Sequence, residues 1–280
     1  MKRLNTNLSG MAMLVVFIML SGCQKLQDYL IKHPDATHPN CRIVKFSSTS
    51  NYPKENVEIF YNKFGNPDSV KFDNPATTQT NFYMFYDKKK RLTDCIAMTK
   101  GSDVDTANGM PAVHNDLTAT FQWKKFVYDH HDRVIVDTTF NMPLYKPGVL
   151  RPMSWTGSFE VEGQWFQRYQ YDYDSKDRII RSTMTTPSPN DAPEVKEFNY
   201  GADGNLIDSR RSYDSQVSFL RTHKIWMLLS LDYSVNNPFP AVAYNNNGLP
   251  LKFNYIPPSD YWNYFLFTDM AQSTIEYSCD

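Results

Sequence analysis

Glu160 and Glu162 come nearest, among the carboxylates of this chain, to a spacing that supports acid–base chemistry. Two positions apart on an extended strand, they share a face and lie roughly 7 Å from each other, a separation at which paired carboxyl groups hydrolyse glycosides. Glycosidase pairs converge from different elements into a cleft, whereas these two lie on the polar side of a single strand. A solvated strand face is therefore expected, with glycan hydrolysis as the alternative. Asp172, Asp174 and Asp177 have the outline of a calcium loop but lack its glycine and its distal glutamate. His130 and His131 are adjacent on a turn, where two rings cannot easily hold one metal. The chain contains no Gly-x-Ser-x-Gly elbow, Ser-x-x-Lys pair, glycine-rich phosphate loop or His-Glu-x-x-His helix. No cofactor and no metal site are expected. Aromatic residues make up 15% of the chain. Trp155, in the loop-like Met153-Ser154-Trp155-Thr156-Gly157, is the candidate ligand contact.

These side chains are carried by a repeating framework. A tyrosine followed by Asp or Asn, two free residues, and Gly or Asp recurs at Tyr61, Tyr86, Tyr128, Tyr173, Tyr200 and Tyr244, with Gly201 in place of the Asp in the fifth copy. Asp or Asn after the tyrosine accepts bonds from backbone N–H groups two residues on and so starts a turn. The fourth position after the tyrosine is Gly65, Lys90, Asp132, Asp177, Gly204 and Gly248 in chain order. Gly and Asp tolerate the left-handed backbone that closes such hairpins, and Lys90 departs from that rule. Asn or Arg follows in five copies: Asn66, Arg91, Arg133, Arg178 and Asn205.

The flanks of the tips alternate with period two, as half-buried strands do. From Phe159 to Tyr173, Phe159, Val161, Trp165, Tyr169, Tyr171 and Tyr173 face one way, while Arg168, Gln170 and Asp172 face the other. Between Trp123 and Phe126 the apolar parity changes, which a β-bulge at Lys124-Lys125 would explain. Residues 101–116, 141–154 and 187–193 read as loop insertions. Thr222 to Leu231 has helical spacing, with Ile225, Leu228 and Leu229 on one side. The expected fold is all-β: a curved antiparallel sheet, half-pipe or open barrel, of successive β-hairpins with one short helix near 222–231.

Tyr173-Asp174-Ser175-Lys176-Asp177-Arg178-Ile179 and Tyr86-Asp87-Lys88-Lys89-Lys90-Arg91-Leu92 resemble the Tyr-Asp repeats of bacterial Rhs and YD-repeat proteins. The chain as a whole is similar to small lipoproteins of Bacteroidota-type bacteria that carry a few degenerate copies. That resemblance implies antiparallel hairpins laid side by side. It does not imply the toxin-encapsulating shell of the giant members, for which this chain is far too short.

The N-terminus has the parts of a secretory signal: Lys2 and Arg3, then an apolar run from Met11 to Leu20. The run is too short to span a bilayer, which needs roughly 20 apolar residues. It ends in Leu20-Ser21-Gly22-Cys23, which resembles the bacterial lipobox. By that resemblance residues 1–22 are a signal peptide and Cys23 is the lipid-attachment residue. Gln24 follows Cys23 where many inner-membrane lipoproteins have Asp, so the outer membrane is favoured. Residues 23–40 are expected to be a lipidated tether, and 41–280 a single β-domain with six hairpin repeats. Losing Lys2 and Arg3 takes the net charge from −1 to −3, which argues against nucleic acid as a partner. Cys41, Cys95 and Cys279 allow at most one bridge, and buried small side chains are the expectation for so dispersed a set. The sequence thus reads as a non-enzymatic binding or scaffolding protein of the cell envelope. Its expected partners are the membrane, through the anchor, and an envelope glycan or another surface protein.

Overall fold

Alternating residues between the turn signals assemble into an open, curved antiparallel sheet of thirteen strands. The computed structural model describes residues 26, 28–33, 36–37, 41–48, 55–73, 81–99, 119–141, 144–146, 149–153, 166–209, 211–254, 264–265, 268–270 and 272–279. Cys23, Trp155, Glu160 and Glu162 lie outside the described residues, as do the signal segment and the whole of the expected 101–116 loop.

The strands are β1 (Cys41–Ser48), β2 (Glu55–Tyr61), β3 (Pro67–Phe72), β4 (Asn81–Tyr86), β5 (Leu92–Thr99), β6 (Ala119–Tyr128), β7 (Val134–Asn141), β8 (Leu144–Lys146), β9 (Val149–Met153), β10 (Phe166–Tyr173), β11 (Ile179–Thr185), β12 (Glu194–Glu197), β13 (Ala241–Tyr244), β14 (Pro250–Phe253), β15 (Tyr264–Phe265), β16 (Thr268–Asp269) and β17 (Ser273–Cys279). The order across the sheet is β12-β11-β10-β7-β6-β5-β4-β3-β2-β1-β17-β14-β13. β8 and β9 pair as a separate small hairpin inside the 141–154 stretch expected as loop. Hairpins joined in sequence are neighbours in space as far as β12. The chain then crosses the sheet and adds β13, β14 and β17 on the far side of β1.

That crossing segment forms the second layer. It contains a 3-10 turn over Phe219–Thr222 and the helix α2 (Lys224–Ser230), close to the expected helix. Ser218 caps the first and His223 the second, each by accepting a backbone N–H, and Leu231 ends α2 in a left-handed conformation. The buried face of α2 is Ile225, Trp226 and Met227, while Leu228 and Leu229 are half-buried. These side chains meet Phe46, Ile59, Phe126, Tyr171 and Phe253 from the inner face of the sheet. In the segment expected as a tether, residues 28–32 form a helical turn, α1, and Leu30 is fully buried with Val217, Val235 and Leu249. Buried Arg221 joins the parts, with Nε donating to the Ser234 carbonyl (3.1 Å), Nη1 to that of Ala36 (3.1 Å), and Nη2 to that of Tyr233.

Two expectations are corrected. The β6–β7 register runs without a break through Lys124 and Lys125 and shifts only between Val127 and Tyr128. The parity change arises because both faces of β6 carry apolar residues. Trp123 stacks on Phe140 of the outer face (centroids 5.0 Å apart), while Phe126 enters the core. The cysteines are not simply buried small side chains either: Cys41 and Cys279 form a disulfide, and Cys95 is free and buried. β1 and β17 are antiparallel neighbours whose ends lie at the edge of the sheet where the hairpins turn. The disulfide therefore closes that strand pair where the other pairs have a turn.

Candidate functional site

All six tips share one geometry. Gly65, Lys90, Asp132, Asp177, Gly204 and Gly248 have φ of 81°, 64°, 61°, 58°, 80° and 75°. In each, the N–H of the residue after the tyrosine bonds the carbonyl four residues on, as in Asp129 to Arg133 at 2.9 Å. The carboxylate or amide oxygen accepts further backbone N–H groups: Asp129 Oδ1 from His131 and Arg133, both at 2.9 Å. The fifth tip has Gly201 at this position, and Asp203 Oδ1 accepts from Asn205 N instead (3.1 Å). That tip is also the shortest, holding only the isolated bridge between Tyr200 and Leu206.

The tyrosines bind the hairpins to one another. Tyr128 donates its hydroxyl to the Leu92 carbonyl (2.8 Å), Tyr173 to that of Val134 (2.6 Å), and Tyr86 to that of Pro67. Each acceptor is the sixth residue after the tyrosine of the preceding tip. The row continues through the disulfide-closed pair, where Tyr61 donates to Ile43 (2.7 Å) and Tyr277 to Pro250 (2.8 Å). Burial pushes these phenols well above their ordinary pKa, so they remain donors across physiological pH.

Arginines form a second, outer row. Arg133 donates Nε to Asp129 Oδ2 (2.9 Å) within its own tip and Nη1 to Asp177 Oδ1 (2.9 Å) in the next. Arg91 repeats the pattern with Asp87 (2.8 Å) and Asp132 (2.6 Å). Arg91, Arg133 and Arg178 also lie 4.7, 4.9 and 4.2 Å from the ring centroids of the next tips' Tyr128, Tyr173 and Tyr200. Burial alone would raise the carboxyls of Asp87, Asp129 and Asp174. The backbone N–H and guanidinium of each tip's own arginine outweigh it and hold all three below the ordinary carboxylate range.

Between these tips and α2 lies a cavity of about 290 Å³. Tyr128, Tyr173, Tyr233 and Leu228 are among its wall residues, and Lys90, Arg91, Arg133, His131 and Lys224 supply its basic groups. The volume is near the lower end for ligand pockets, roughly 300–1,000 Å³. A second cavity, about 180 Å³, lies beside Leu228, Leu229 and Leu231. It contains Asp137, 3% exposed, which accepts from Lys124 Nζ (2.9 Å), Thr139 Oγ1 (3.2 Å) and Tyr171 OH (3.5 Å).

The residues that the sequence singled out are dispersed. Asp172 faces Arg181 (3.6 Å), Asp174 pairs with Arg178 (2.7 Å) and Asp177 with Arg133 (2.9 Å), so the three carboxylates do not converge. His130 and His131 lie on an exposed tip with ring centroids 3.8 Å apart and planes tilted by 44°. Among the described residues, no three His, Cys, Asp or Glu side chains are placed to hold a metal ion, and no helix is long and apolar enough to cross a membrane. Sequence reading missed the Lys124–Asp137 pair. Its one signal was that Lys124 occupies an inward-facing position on β6. On the outer face, Trp123, Phe140 and Phe166 form an aromatic row with centroids 5.0 and 6.0 Å apart, and Trp123 Nε1 donates to Asp94 (3.0 Å).

No protein-family model and no curated protein matches the chain. Among solved structures, the crystal structure of TcdB2-TccC3-TEV is similar to 59% of this chain at 13% identity and a TM-score of 0.25, and the chain spans 9% of that one. A likeness this slight carries no argument about fold or function.

Proposed function

We propose that this chain is a lipid-anchored protein of the cell envelope, held on the outer membrane through Cys23, whose role is to bind rather than to catalyse. The observation that carries the reading is the cavity between tips and helix, whose tyrosine rings and basic rim suit an envelope glycan. Its two carboxylates, Asp132 and Asp177, are both bonded to arginine, so they serve as fixed charges holding the wall. The Cys41–Cys279 disulfide supports an oxidising compartment, as the lipobox-like Leu20-Ser21-Gly22-Cys23 implies. Several acyl chains on one residue make a stable anchor, where a single chain holds only marginally.

The test has two parts. Mass spectrometry of membrane-extracted protein is expected to find a mature chain beginning at acylated Cys23, and Cys23→Ala is expected to lose membrane retention. Unchanged processing and retention of that variant would remove the anchor. A glycan array set beside a polysaccharide-degradation screen is expected to give binding without product. Turnover would replace this reading with hydrolysis, and capture of a surface protein with no glycan signal would replace the glycan as partner.

A further inference from the structure

We infer that the cavity between the tips and α2 is an anion site for a sugar residue carrying an acidic group, a carboxylate or a phosphate. The inference rests on the binding reading above and names its ligand class. The charged cavity residues are Lys90, Arg91, Arg133 and Lys224 against Asp132 and Asp177, with His131 beside them. Both carboxylates are already engaged: Asp132 by Arg91 Nη1 (2.6 Å) and Lys89 Nζ (3.4 Å), Asp177 by Arg133 Nη1 (2.9 Å). Lys90 and Lys224 have no ion pair among the described residues. Arg91 and Arg133 also bond Asp87 and Asp129, so Lys89, Lys90, Arg91, Arg133 and Lys224 stand against four carboxylates. That leaves an excess of one positive charge, with the Lys90 ammonium 4.5 Å from the Phe64 ring centroid, at the cavity of a protein whose net charge is negative.

The same excess extends along the edge. Lys63, Lys88 and Lys176 stand exposed on neighbouring tips, while Asp87, Asp129 and Asp174 are each bridged to their own tip's arginine at 2.7–2.8 Å. An anion approaching this edge meets ammonium groups first. Behind them the wall includes Tyr128 and Tyr173, one face of each covered by Arg91 and Arg133, and the buried Tyr233. At about 290 Å³ the cavity suits one or two rings, such as the end of a chain, rather than a long polymer threaded through it.

Isothermal titration of the full-length protein with an oligogalacturonate, its neutral galactose counterpart and glucose 6-phosphate tests this. The oligogalacturonate, the sugar phosphate, or both are expected to bind at least about 10-fold tighter than the neutral sugar. The preference should collapse between about 0.01 M and about 1 M salt, where the screening length falls from roughly 30 Å to roughly 3 Å. Lys224→Gln should weaken acidic-ligand binding several-fold and Lys224→Glu at least about 10-fold. Both should keep the wild-type circular dichroism, since Gln and Glu are good helix formers and an acid in the first turn of a helix is favourable. Lys90→Asn, which keeps the left-handed turn, should act in the same direction. Equal binding of acidic and neutral sugars would overturn the anion site while leaving the binding reading intact. Absence of acidic-sugar binding, or an acidic preference untouched by Lys224→Glu and Lys90→Asn, would overturn it as well. Failure of the envelope reading is detected separately, by the fate of Cys23.

Discussion

Arg133 and Asp177, 44 residues apart in the chain, meet at 2.9 Å and tie the third tip to the fourth. The contact is possible because every tip turns the same way, placing the fifth residue after one tyrosine beside the fourth residue after the next. Arg133 bonds two carboxylates and covers the Tyr173 ring at once, which an ammonium group on a flexible stem cannot do. Arg133→Lys is therefore expected to lower stability by about 1 kcal/mol, at the upper end for a partly exposed ion pair. Urea midpoints of the two proteins check this, and equal midpoints would mean that the arginine row contributes nothing.

The tyrosine row is more deeply buried and should matter more. Tyr128→Phe removes the donor to the Leu92 carbonyl and leaves a poorly hydrated acceptor, at a cost of about 1–3 kcal/mol. Tyr29, 51% exposed, is the control: Tyr29→Phe should stay within about 0.5 kcal/mol of wild type. Equal effects of the two substitutions would refute the row as a structural tie.

Left-handed tips predict a graded series of substitutions. At Gly65, φ 81°, an added Cβ meets nothing within 4 Å, so Gly65→Ala should cost only the backbone term, about 1 kcal/mol. At Gly204 the same atom would lie 2.8 Å from Val235 Cγ2 and 3.3 Å from Ile31 Cγ1. Gly204→Ala should therefore cost about 1 kcal/mol more than Gly65→Ala. Lys90→Gly relieves strain at φ 64° but loosens the unfolded chain, so its midpoint should barely move. A clear loss at Lys90→Gly with none at Gly65→Ala would contradict the shared turn.

His223 makes stability fall in mild acid. Its Nδ1 accepts the Ile225 N–H that starts α2. Burial, with the Lys224 charge added, lowers its pKa from 6.5 to about 4. Between those values the unfolded chain binds a proton that the folded one refuses. Stability is thus fully present above about pH 6.5 and declines as pH falls toward 4, by on the order of 3 kcal/mol. The tip carboxylates, also depressed, extend the loss to lower pH. His223→Asn keeps a capping side chain without titrating in this range. Its stability should be flatter between pH 6.5 and 4, and an unchanged pH profile would show that His223 is not the titrating group.

The cysteines predict opposite reactivities. Burial raises the Cys95 thiol to about 12, so thiol reagents should leave it unmodified until the protein unfolds. Replacing both Cys41 and Cys279 by Ala opens a closure between residues 238 apart and should cost about 2–5 kcal/mol. Rapid labelling of Cys95 in the native protein, or a double variant as stable as wild type, would contradict these assignments.

What the sequence determined by itself is the local chemistry. Asp or Asn beside five of the six tyrosines and Gly or Asp three residues later in five of the six specify a turn within six residues, and period-two alternation specifies the strands on either side. Tyr169, Tyr171 and Tyr173 face the core side while Arg168, Gln170 and Asp172 are exposed, as alternation required. Lys90 shows the tertiary structure overriding residue preference: a lysine is held left-handed because the five other tips impose the register around it. Long-range partners were not legible. Nothing near Cys41 in the sequence marks Cys279 as its partner, because that contact depends on which strands become neighbours. Lys124 and Asp137, by contrast, lie on the two arms of one hairpin, and their pairing depends on both being turned into the covered face. The cavity goes further still, since it exists only where tips from residues 90, 132 and 177 meet a helix that begins at 224. Turns are decided by the torsional preferences of a few adjacent residues, whereas a binding surface is decided by how the whole chain packs.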